Sequence, residues 1–177
     1  MVYWASDKIY DAFEYSDGFV PVGMIGTSRK GMATGDNERF VRYWGEVNFG
    51  ETPLGEADAP KWFPYNNGGE YRKWYGNIDR LIDWENDGYA IRNFKDSDGR
   101  LRSRPQGLDQ KFREMISWTS LSSTSLGVRF YPRGFISDQN GNFLVAEDRE
   151  SLCFVLAFMC SYLAGILIKM LNPTMHI

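Results

Sequence analysis

Histidine and cysteine are scarce in this chain of 177 residues, which has one histidine, His176, and two cysteines, Cys153 and Cys160. Because protein zinc sites are built mainly from these side chains, the composition excludes a zinc site. The two cysteines lie too far apart along an apolar helix for a disulfide, so we expect buried free thiols. The first thirty residues lack the basic start and apolar run of a signal peptide, which predicts a cytoplasmic location.

Sequence motifs of catalysis are also missing. Gly26 to Gly31 has the spacing of half a phosphate loop, but Met32 and Ala33 stand where a lysine and a serine or threonine are required. Asp96 to Gly99 lacks the closing glutamate of a calcium loop and predicts a turn. No nucleophile lies in a recognisable arrangement with a base. We therefore predict no catalytic residue and no metal site in this chain.

Charge is unevenly distributed along the sequence. The net charge is −3, which argues against a general nucleic-acid binder, but residues 61–133 hold 13 basic and 9 acidic side chains. The segments on either side are acidic. A basic middle between acidic flanks predicts a local positive face on an acidic protein, although a solvated surface of mixed charge fits equally well.

Aromatic, amide and basic residues are interleaved in residues 61–104, which include KWFPYNNGGEYRKWYGN, WENDGY and GRLRSRP. This segment has little hydrophobic periodicity, so a domain core does not require its composition. Side chains that stack, donate hydrogen bonds and carry positive charge suit a surface that binds an anionic polymer whose units can stack and form hydrogen bonds. The segment is therefore the first candidate for a functional surface.

Hydrophobic residues make up 43% of the chain and aromatic residues 16%, which is enough for a folded core. The pattern predicts an α+β domain over residues 1–177, with a short, irregular, mixed sheet and a few helices. We expect a helix at 7–14 and strands at 20–27, 39–44, 61–65 (interrupted at Pro64), 80–84, 116–121 and 128–131. The Asn140-Gly141 pair predicts a hairpin between strands at 135–137 and 142–145.

The C-terminal part of the chain is strongly apolar, and residues 152–168 contain no charged side chain. This run is at the short limit for a membrane span and is closely flanked by Glu150 and Lys169, so we expect no membrane interaction. Two short buried helices over 152–171 fit better. Helices that are apolar on most sides require cover on both faces, which predicts that the chain is a fragment of a longer protein.

Several stretches together resemble one family. They are GMATGDNERFVRYW at 31–44, KWFPYNNGGEYRKWYGN at 61–77, WENDGYAIRNF at 84–94, LRSRP at 101–105, ISWTSLSS at 116–123, RFYPRGFISD at 129–138 and KMLNPT at 169–174. Over nearly its whole length the chain resembles the C-terminal part of the large adenine-specific DNA methyltransferases of phage-defence systems, of the BREX (PglX-like) type. The part that it resembles is the target-recognition region beyond the catalytic domain.

The resemblance implies a role in DNA modification without catalysis by this chain. The family's catalytic motif, Asn/Asp-Pro-Pro-Tyr/Phe, and its glycine-bearing loop for S-adenosylmethionine are both missing, since Asn172-Pro173-Thr174-Met175 is not that motif. S-adenosylmethionine would be a cofactor of the parent enzyme only. The implied partners are double-stranded DNA, the catalytic domain of the same protein and other defence proteins.

Eleven residues are candidates for DNA contact. Exposed cations suit phosphates, and polar side chains in turns suit base edges. Arg102 and Arg104 flank Ser103, so in an extended segment both would point the same way, toward guanine or successive phosphates. Asn66 and Asn67, beside a Gly-Gly turn, could reach an adenine edge. The remaining candidates are Arg72, Lys73, Arg100 and Lys111 for phosphates, and Thr34, Asn37 and Arg39 of a second polar loop in which Asp36 and Asn37 are expected to hold the loop's shape.

Three alternatives remain open from the sequence. The chain could be the recognition domain of a fused restriction–methylation enzyme. It could instead be a protein-interaction module of the defence complex that does not bind DNA. A carbohydrate-binding or hydrolytic domain is suggested only by the tryptophans, tyrosines and carboxylates, and the default for Trp62, Phe63, Trp74 and Trp84 is a place in the core.

Overall fold

The computed structural model describes residues 22–120 and 126–171, so the helix predicted at 7–14 lies outside the described residues. Short strands come first and apolar helices last, which confirms the predicted α+β class. In chain order the elements are α1 (Val22–Ile25), β1 (Gly26–Arg29), α2 (Asn37–Phe40), β2 (Val41–Tyr43), β3 (Trp62–Asn66), β4 (Arg80–Asp83), α3 (Glu85–Arg92), β5 (Met115–Thr119), β6 (Val128–Tyr131), β7 (Ile136–Ser137), β8 (Gly141–Ala146), α4 (Arg149–Met159) and α5 (Tyr162–Leu171).

The first sheet is antiparallel, with the strand order β1–β8–β5–β6. Helix α4 packs on one face of this sheet and buries Leu152, Val155 and Leu156, which share one side of the helix by their spacing of three and four residues. The helix begins where the Asp148 carboxylate accepts a hydrogen bond from the Ser151 N–H at 2.7 Å. Apolar burial and an N-terminal cap together fix the start and the orientation of α4.

The second sheet is mixed, with the strand order β2–β4–β3–β7 and a parallel pairing of β3 with β7. Its core buries Phe40, Tyr65, Ile82 and Trp84. Strand β3 runs through Pro64, where we expected an interruption. Strand β7 pairs with β3 at Tyr65 and Asn66, so Pro64 has a strand partner on the β4 side alone. The N–H group that proline lacks is therefore not needed for a hydrogen bond to β7.

Asn66 joins the two sheets by hydrogen bonds. Its side-chain amide donates to Ser117 Oγ of β5 at 2.7 Å and to Ser137 Oγ of β7 at 2.9 Å, and its Oδ1 accepts from the Gly68 N–H at 3.2 Å. Its main-chain oxygen accepts from the Asp138 N–H at 2.8 Å. A fully buried amide with these partners fixes how the sheets meet, because leaving any of the groups unpaired would be costly.

The Asn140-Gly141 turn forms, but the predicted hairpin is wrong. The Gly141 N–H donates to the Asp138 oxygen at 2.9 Å, which closes the turn. The flanking strands then enter different sheets, since β7 pairs with β3 while β8 pairs with β1 and β5. The turn signal specifies a local reversal of the chain, whereas strand pairing is decided by the distant partners.

Two further local predictions are wrong. Of the strand predicted at 20–27, residues 20–21 lie outside the described residues, 22–25 form a helical turn, and Gly26 and Thr27 are in β1. The strand predicted at 39–44 is shorter, since Asn37–Phe40 form α2 and β2 comprises Val41–Tyr43. In α3, Asn86, Asp87 and Gly88 have φ values of 51°, 58° and 69° and make a left-handed turn. A Cβ at Gly88 would lie 2.5 Å from the Trp84 ring, so this left-handed turn lets the chain pass over a core tryptophan.

The C-terminal tail forms two helices as predicted, yet they are buried on one side only. Phe154 of α4 and Tyr162 of α5 are 66% and 85% exposed. Of the two free thiols, Cys160 is buried but Cys153 is exposed, which corrects that part of the prediction. Within the described residues no single helix is long and apolar enough to cross a membrane; α4 and α5 satisfy that criterion only as a pair bent by 71°.

Candidate nucleic-acid interface

A polar cleft lies beyond the β7 edge of the second sheet. There the ladder is continued by single bridges: the Met32 N–H donates to the Ser137 oxygen at 2.9 Å, and Ala33 and Arg104 exchange hydrogen bonds of 3.0 and 2.8 Å. This places the polar loop after Ala33 beside the arginine segment. The two border a cleft of about 430 Å³ together with Asp138 and Gln139.

Arg102 and Arg104 point to the same side of an extended segment, as their spacing predicts. Both are exposed and both line the cleft, whereas Ser103 between them is 3% exposed and faces inward. Backbone hydrogen bonds fix the segment, because the Arg102 N–H donates to the Phe94 oxygen at 2.9 Å and Arg104 pairs with Ala33. Two guanidinium groups are therefore held on one wall by main-chain pairing.

The ring of Phe94 brings a third arginine close to the cleft. The Arg39 and Arg102 guanidinium carbons lie 5.1 and 5.3 Å from its centroid. In the described part of the chain, Arg39, Arg102 and Arg104 form no salt bridge. Arg100 is also exposed and follows the Asp96–Gly99 turn, which forms as predicted. The positive charge at this edge is thus available to a ligand.

The opposite wall of the cleft is a polar loop braced by its own side chains. The Thr34 hydroxyl donates to Asn37 Oδ1 at 2.5 Å and accepts from the Asp36 N–H at 3.1 Å. Asp36 caps α2 by accepting from the Arg39 N–H. Gly35, with φ of 80°, packs so closely on Arg102 that a Cβ would lie 2.8 Å from its carbonyl carbon. Thr34 is 2% exposed and positions Asn37, which is exposed.

A carboxyl group with a raised pKa forms part of the cleft lining. Asp138 is 2% exposed; its Oδ2 accepts from the Tyr65 hydroxyl at 2.6 Å and its Oδ1 from the Asn140 N–H at 2.8 Å. Burial raises the pKa of Asp138 above its ordinary value, although both hydrogen bonds act in the opposite direction. Burial and the neighbouring Asp138 raise the pKa of Tyr65 well above its ordinary value.

The structure removes Asn66 from the candidate contacts. Asn66 is fully buried and its amide hydrogen bonds are all satisfied inside the protein, so it cannot reach a base edge in this conformation. Asn67 is half-buried, and its Oδ1 is enclosed without a hydrogen-bond partner among the described residues. Gly68 and Gly69 follow with φ values of 71° and 113°, and the amides before them point into the protein.

Two of the predicted phosphate contacts are engaged internally. Lys73 donates to the Cys160 oxygen at the end of α4, at 2.7 Å. Lys111 forms a short ion pair with Asp87, and this hydrogen bond is the main cause that lowers the pKa of Asp87. Arg72, in contrast, is exposed. The structure thus brings Thr34, Asn37, Arg102 and Arg104 together, with Arg39 and Arg100 adjoining, while Arg72 lies at a separate place.

Sequence reasoning missed three features. Trp74 was assigned to the core by default, but it is 53% exposed with φ of 72°. Arg129 was treated as part of a strand and is fully buried. Asp138 was not considered, although an aspartate just before the Gln139-Asn140-Gly141 turn is a typical turn-forming residue. No sequence signal places the first two, because their positions depend on long-range pairing.

The sequence of the chain is similar to those of known proteins. No family model matches the chain. The chain is 39% identical over 181 aligned residues, which cover 99% of it, to the adenine-specific methyltransferase PglX of Lacticaseibacillus casei (strain Zhang). It is 33% identical over 99% of its length to the adenine-specific methyltransferase BrxX of Escherichia coli O9:H4 (strain HS). The chain is related to a segment of the PglX and BrxX methyltransferases.

This relationship confirms the resemblance seen in the sequence. The chain spans only 15% of the length of the PglX protein and 14% of that of BrxX. The match therefore concerns one segment of much longer proteins.

Proposed function

We propose that this chain is a target-recognition segment that binds double-stranded DNA for an N6-adenine-specific methyltransferase of a BREX-type phage-defence system. The observation that carries the proposal is the cleft, in which the exposed Arg102 and Arg104 face a polar loop and Arg39 lies close by on the Phe94 ring. None of the three forms a salt bridge within the described residues. Free guanidinium groups suit phosphates and the guanine edge, whereas a loop amide such as that of Asn37 suits an adenine edge.

Rigidity of the cleft supports sequence reading. Arg102 and Arg104 lie on a segment fixed by backbone pairing, and Gly35 holds the opposite loop against that segment. A preorganised set of donors loses little conformational entropy on binding. Phosphate contacts from Arg102 and Arg104, with Arg39 and Arg100 adjoining, would set the position on the duplex, and Asn37 would read a base edge.

The methyl-transfer step belongs, in this proposal, to the remainder of a longer cytoplasmic protein. S-adenosylmethionine would bind there, and this chain would select the site without a cofactor of its own. The outer side of α4 and α5 supports such an arrangement, since Phe154, Phe158, Tyr162 and Leu163 are exposed apolar side chains. We propose that the catalytic domain covers this side.

Fluorescence anisotropy with a short duplex, measured over a range of salt concentrations, tests the proposal. We expect Arg102→Ala/Arg104→Ala to weaken binding and to reduce the slope of log K against log salt by about 2, one for each lost phosphate contact. The control is Arg133→Ala/Lys169→Ala, which removes the same charge from two exposed side chains outside the cleft.

Two outcomes would contradict DNA recognition at the cleft. One is an equal loss of affinity in the Arg102/Arg104 variant and in its control, which would mean a general charge effect. The other is the absence of duplex binding at low salt by a folded chain. In that case the exposed side of α4 and α5 would favour a protein-interaction module, and capture of the separately produced catalytic domain would measure it.

A further inference from the structure

Trp74 has an unusual backbone conformation for a bulky residue. Its φ is 72°, a region that favours glycine. Backbone pairing imposes this conformation: the Trp74 N–H donates to the Val128 oxygen and the Phe130 N–H to the Trp74 oxygen, both at 2.9 Å. Trp74 thus continues the first sheet beyond β6. A tryptophan in a place where glycine fits better suggests that its side chain serves a purpose.

The side chain of Trp74 is not used to fill the core. It is 53% exposed, and Tyr71 and Tyr75 beside it are 51% and 60% exposed. Among the described residues none of these three rings packs against another aromatic ring. Arg72 lies in the same loop and is exposed. We call residues 71–75 the aromatic loop.

A buried positive charge lies beneath this loop. Arg129 is fully buried, and its guanidinium donates to the Tyr131 hydroxyl and Thr119 Oγ1, each at 3.2 Å, and to the Gly127 oxygen at 3.4 Å. Tyr131 in turn donates to the Gly76 oxygen, and Thr119 to the Gly69 oxygen. The guanidinium therefore holds both ends of the segment that carries the aromatic loop.

Arg129 has no acidic partner in the described part of the chain. Within residues 22–120 and 126–171 its hydrogen-bond partners are all neutral, and it forms no salt bridge. An unpaired buried cation gives the surface above it a positive potential, because low-dielectric surroundings screen it weakly. Together with Arg72, it favours an anionic ligand over the aromatic loop.

From these observations we propose that the aromatic loop is a second nucleic-acid site, which stacks an unpaired base of single-stranded DNA on Trp74. Exposed aromatic rings offer a flat face to any base, and Arg72 and Arg129 favour the phosphates on either side. The exposed hydrophobic side chains of the loop are all aromatic. The positive charge of Arg72 and Arg129 beside them favours a ligand that is anionic as well as able to stack, which a single-stranded nucleic acid is. The loop borders the first sheet, whereas the cleft borders the second, so the inference does not depend on duplex binding at the cleft.

Trp74→Gly provides a sharp test, because glycine adopts a φ of 72° without strain. We expect the 177-residue chain to bind an oligothymidine of about ten nucleotides, a length within the range of known stacking sites. The variant should bind it roughly 5- to 150-fold more weakly, which corresponds to one lost stacked base. Its urea-unfolding midpoint should be equal to or above that of the unchanged chain.

Two controls separate stacking from charge and from general exposure. An abasic oligonucleotide of the same length keeps the phosphates, so the unchanged chain should bind it as weakly as Trp74→Gly binds oligothymidine. Tyr162→Ala removes a more exposed ring on α5, and oligothymidine binding should not change. Arg102→Ala/Arg104→Ala should lose duplex binding and keep oligothymidine binding, so that the two proposals can fail separately.

Three results would overturn the inference. Equal affinity for the abasic and the base-bearing oligonucleotide would show that no base is stacked. A lower unfolding midpoint of Trp74→Gly would show that the indole is structural. Self-association of the unchanged chain that disappears in Trp74→Gly, without oligothymidine binding, would assign the loop to a protein contact.

Discussion

The cleft and the segment at residues 61–77 look alike in sequence but differ in how they use their polar groups. Both combine arginine or lysine with amides and glycine, and both were predicted to contact DNA. In the cleft, Arg102 and Arg104 are exposed and form no salt bridge with any described residue. In the other segment Asn66 is enclosed between two sheets and Lys73 caps a helix. Composition identifies residues that can bind a polymer, whereas tertiary partners decide which of them remain free to do so.

The largest effect that tests this comparison is expected at Asn66. Asn66→Ala removes the link between Ser117 and Ser137 and leaves the buried Gly68 N–H without its acceptor. We expect the free energy of unfolding to fall by about 2–3 kcal/mol, as for a buried polar group left unpaired. Urea unfolding followed by tryptophan fluorescence measures it.

Asn67→Ala is the matched control for this prediction. Its Oδ1 has no partner in the described part of the chain, so its loss should change the free energy of unfolding by only about 0.5 kcal/mol or less. Equal losses in the two variants would mean that the hydrogen bonds of Asn66 do not hold the sheets together. Duplex binding by the folded fraction should be unchanged in both.

A second comparison sets two lysines against two arginines. Lys73→Ala/Lys111→Ala removes a helix-end contact and an ion pair with Asp87, so we expect the free energy of unfolding to fall by about 1–2 kcal/mol. The salt dependence of duplex binding should not change. Arg102→Ala/Arg104→Ala removes the same charge and should show the reverse pattern, with stability kept and the salt slope reduced.

The reverse result would be informative. If the lysine variant reduced the salt slope as much as the arginine variant, the lysines would be leaving their internal partners when DNA binds. That outcome would contradict the assignment of the interface to the cleft alone. Both the free energy of unfolding and the salt dependence of duplex binding should therefore be measured for the lysine variant and the arginine variant. The two measurements together distinguish cations with internal partners from cations that are exposed to a ligand.

Local patterns predicted the parts of the fold that depend on near neighbours. The alternation at Arg102-Ser103-Arg104, the Asp96–Gly99 turn, the bracing of the polar loop by Asp36 and Asn37, and the α+β class were all readable from the sequence. Strand pairing was not, because the partners of β7 are Tyr65 and Asn66, some seventy residues earlier in the chain. The burial of Asn66 accompanies that pairing, whereas the conformation of Trp74 is set by its pairing with β6 around Arg129. These long-range contacts are what sequence alone left open.

The smallest effect concerns a carboxyl group in the lining of the cleft. Burial raises the pKa of Asp138, so between its unfolded and folded pKa values the folded state binds more protons. The free energy of unfolding should therefore decline as the pH rises from about 4 through the folded pKa. Asp138→Asn removes this titration. The free energy of unfolding of the variant should therefore rise relative to that of the unchanged chain as the pH increases across this window.

Asp148→Asn is expected to show the opposite sign and serves as the comparison. Hydrogen bonds from Ser151 lower the pKa of the exposed Asp148 carboxyl, so its contribution is present above the unfolded pKa and is lost as the pH falls through the folded pKa. The penalty of Asp148→Asn should thus be largest near neutral pH and shrink toward acid. Urea unfolding at several pH values measures both variants. A flat difference for Asp138→Asn would mean that Tyr65 and Asn140 fully offset the cost of burial, and that the carboxylate keeps its charge beside the arginines of the cleft.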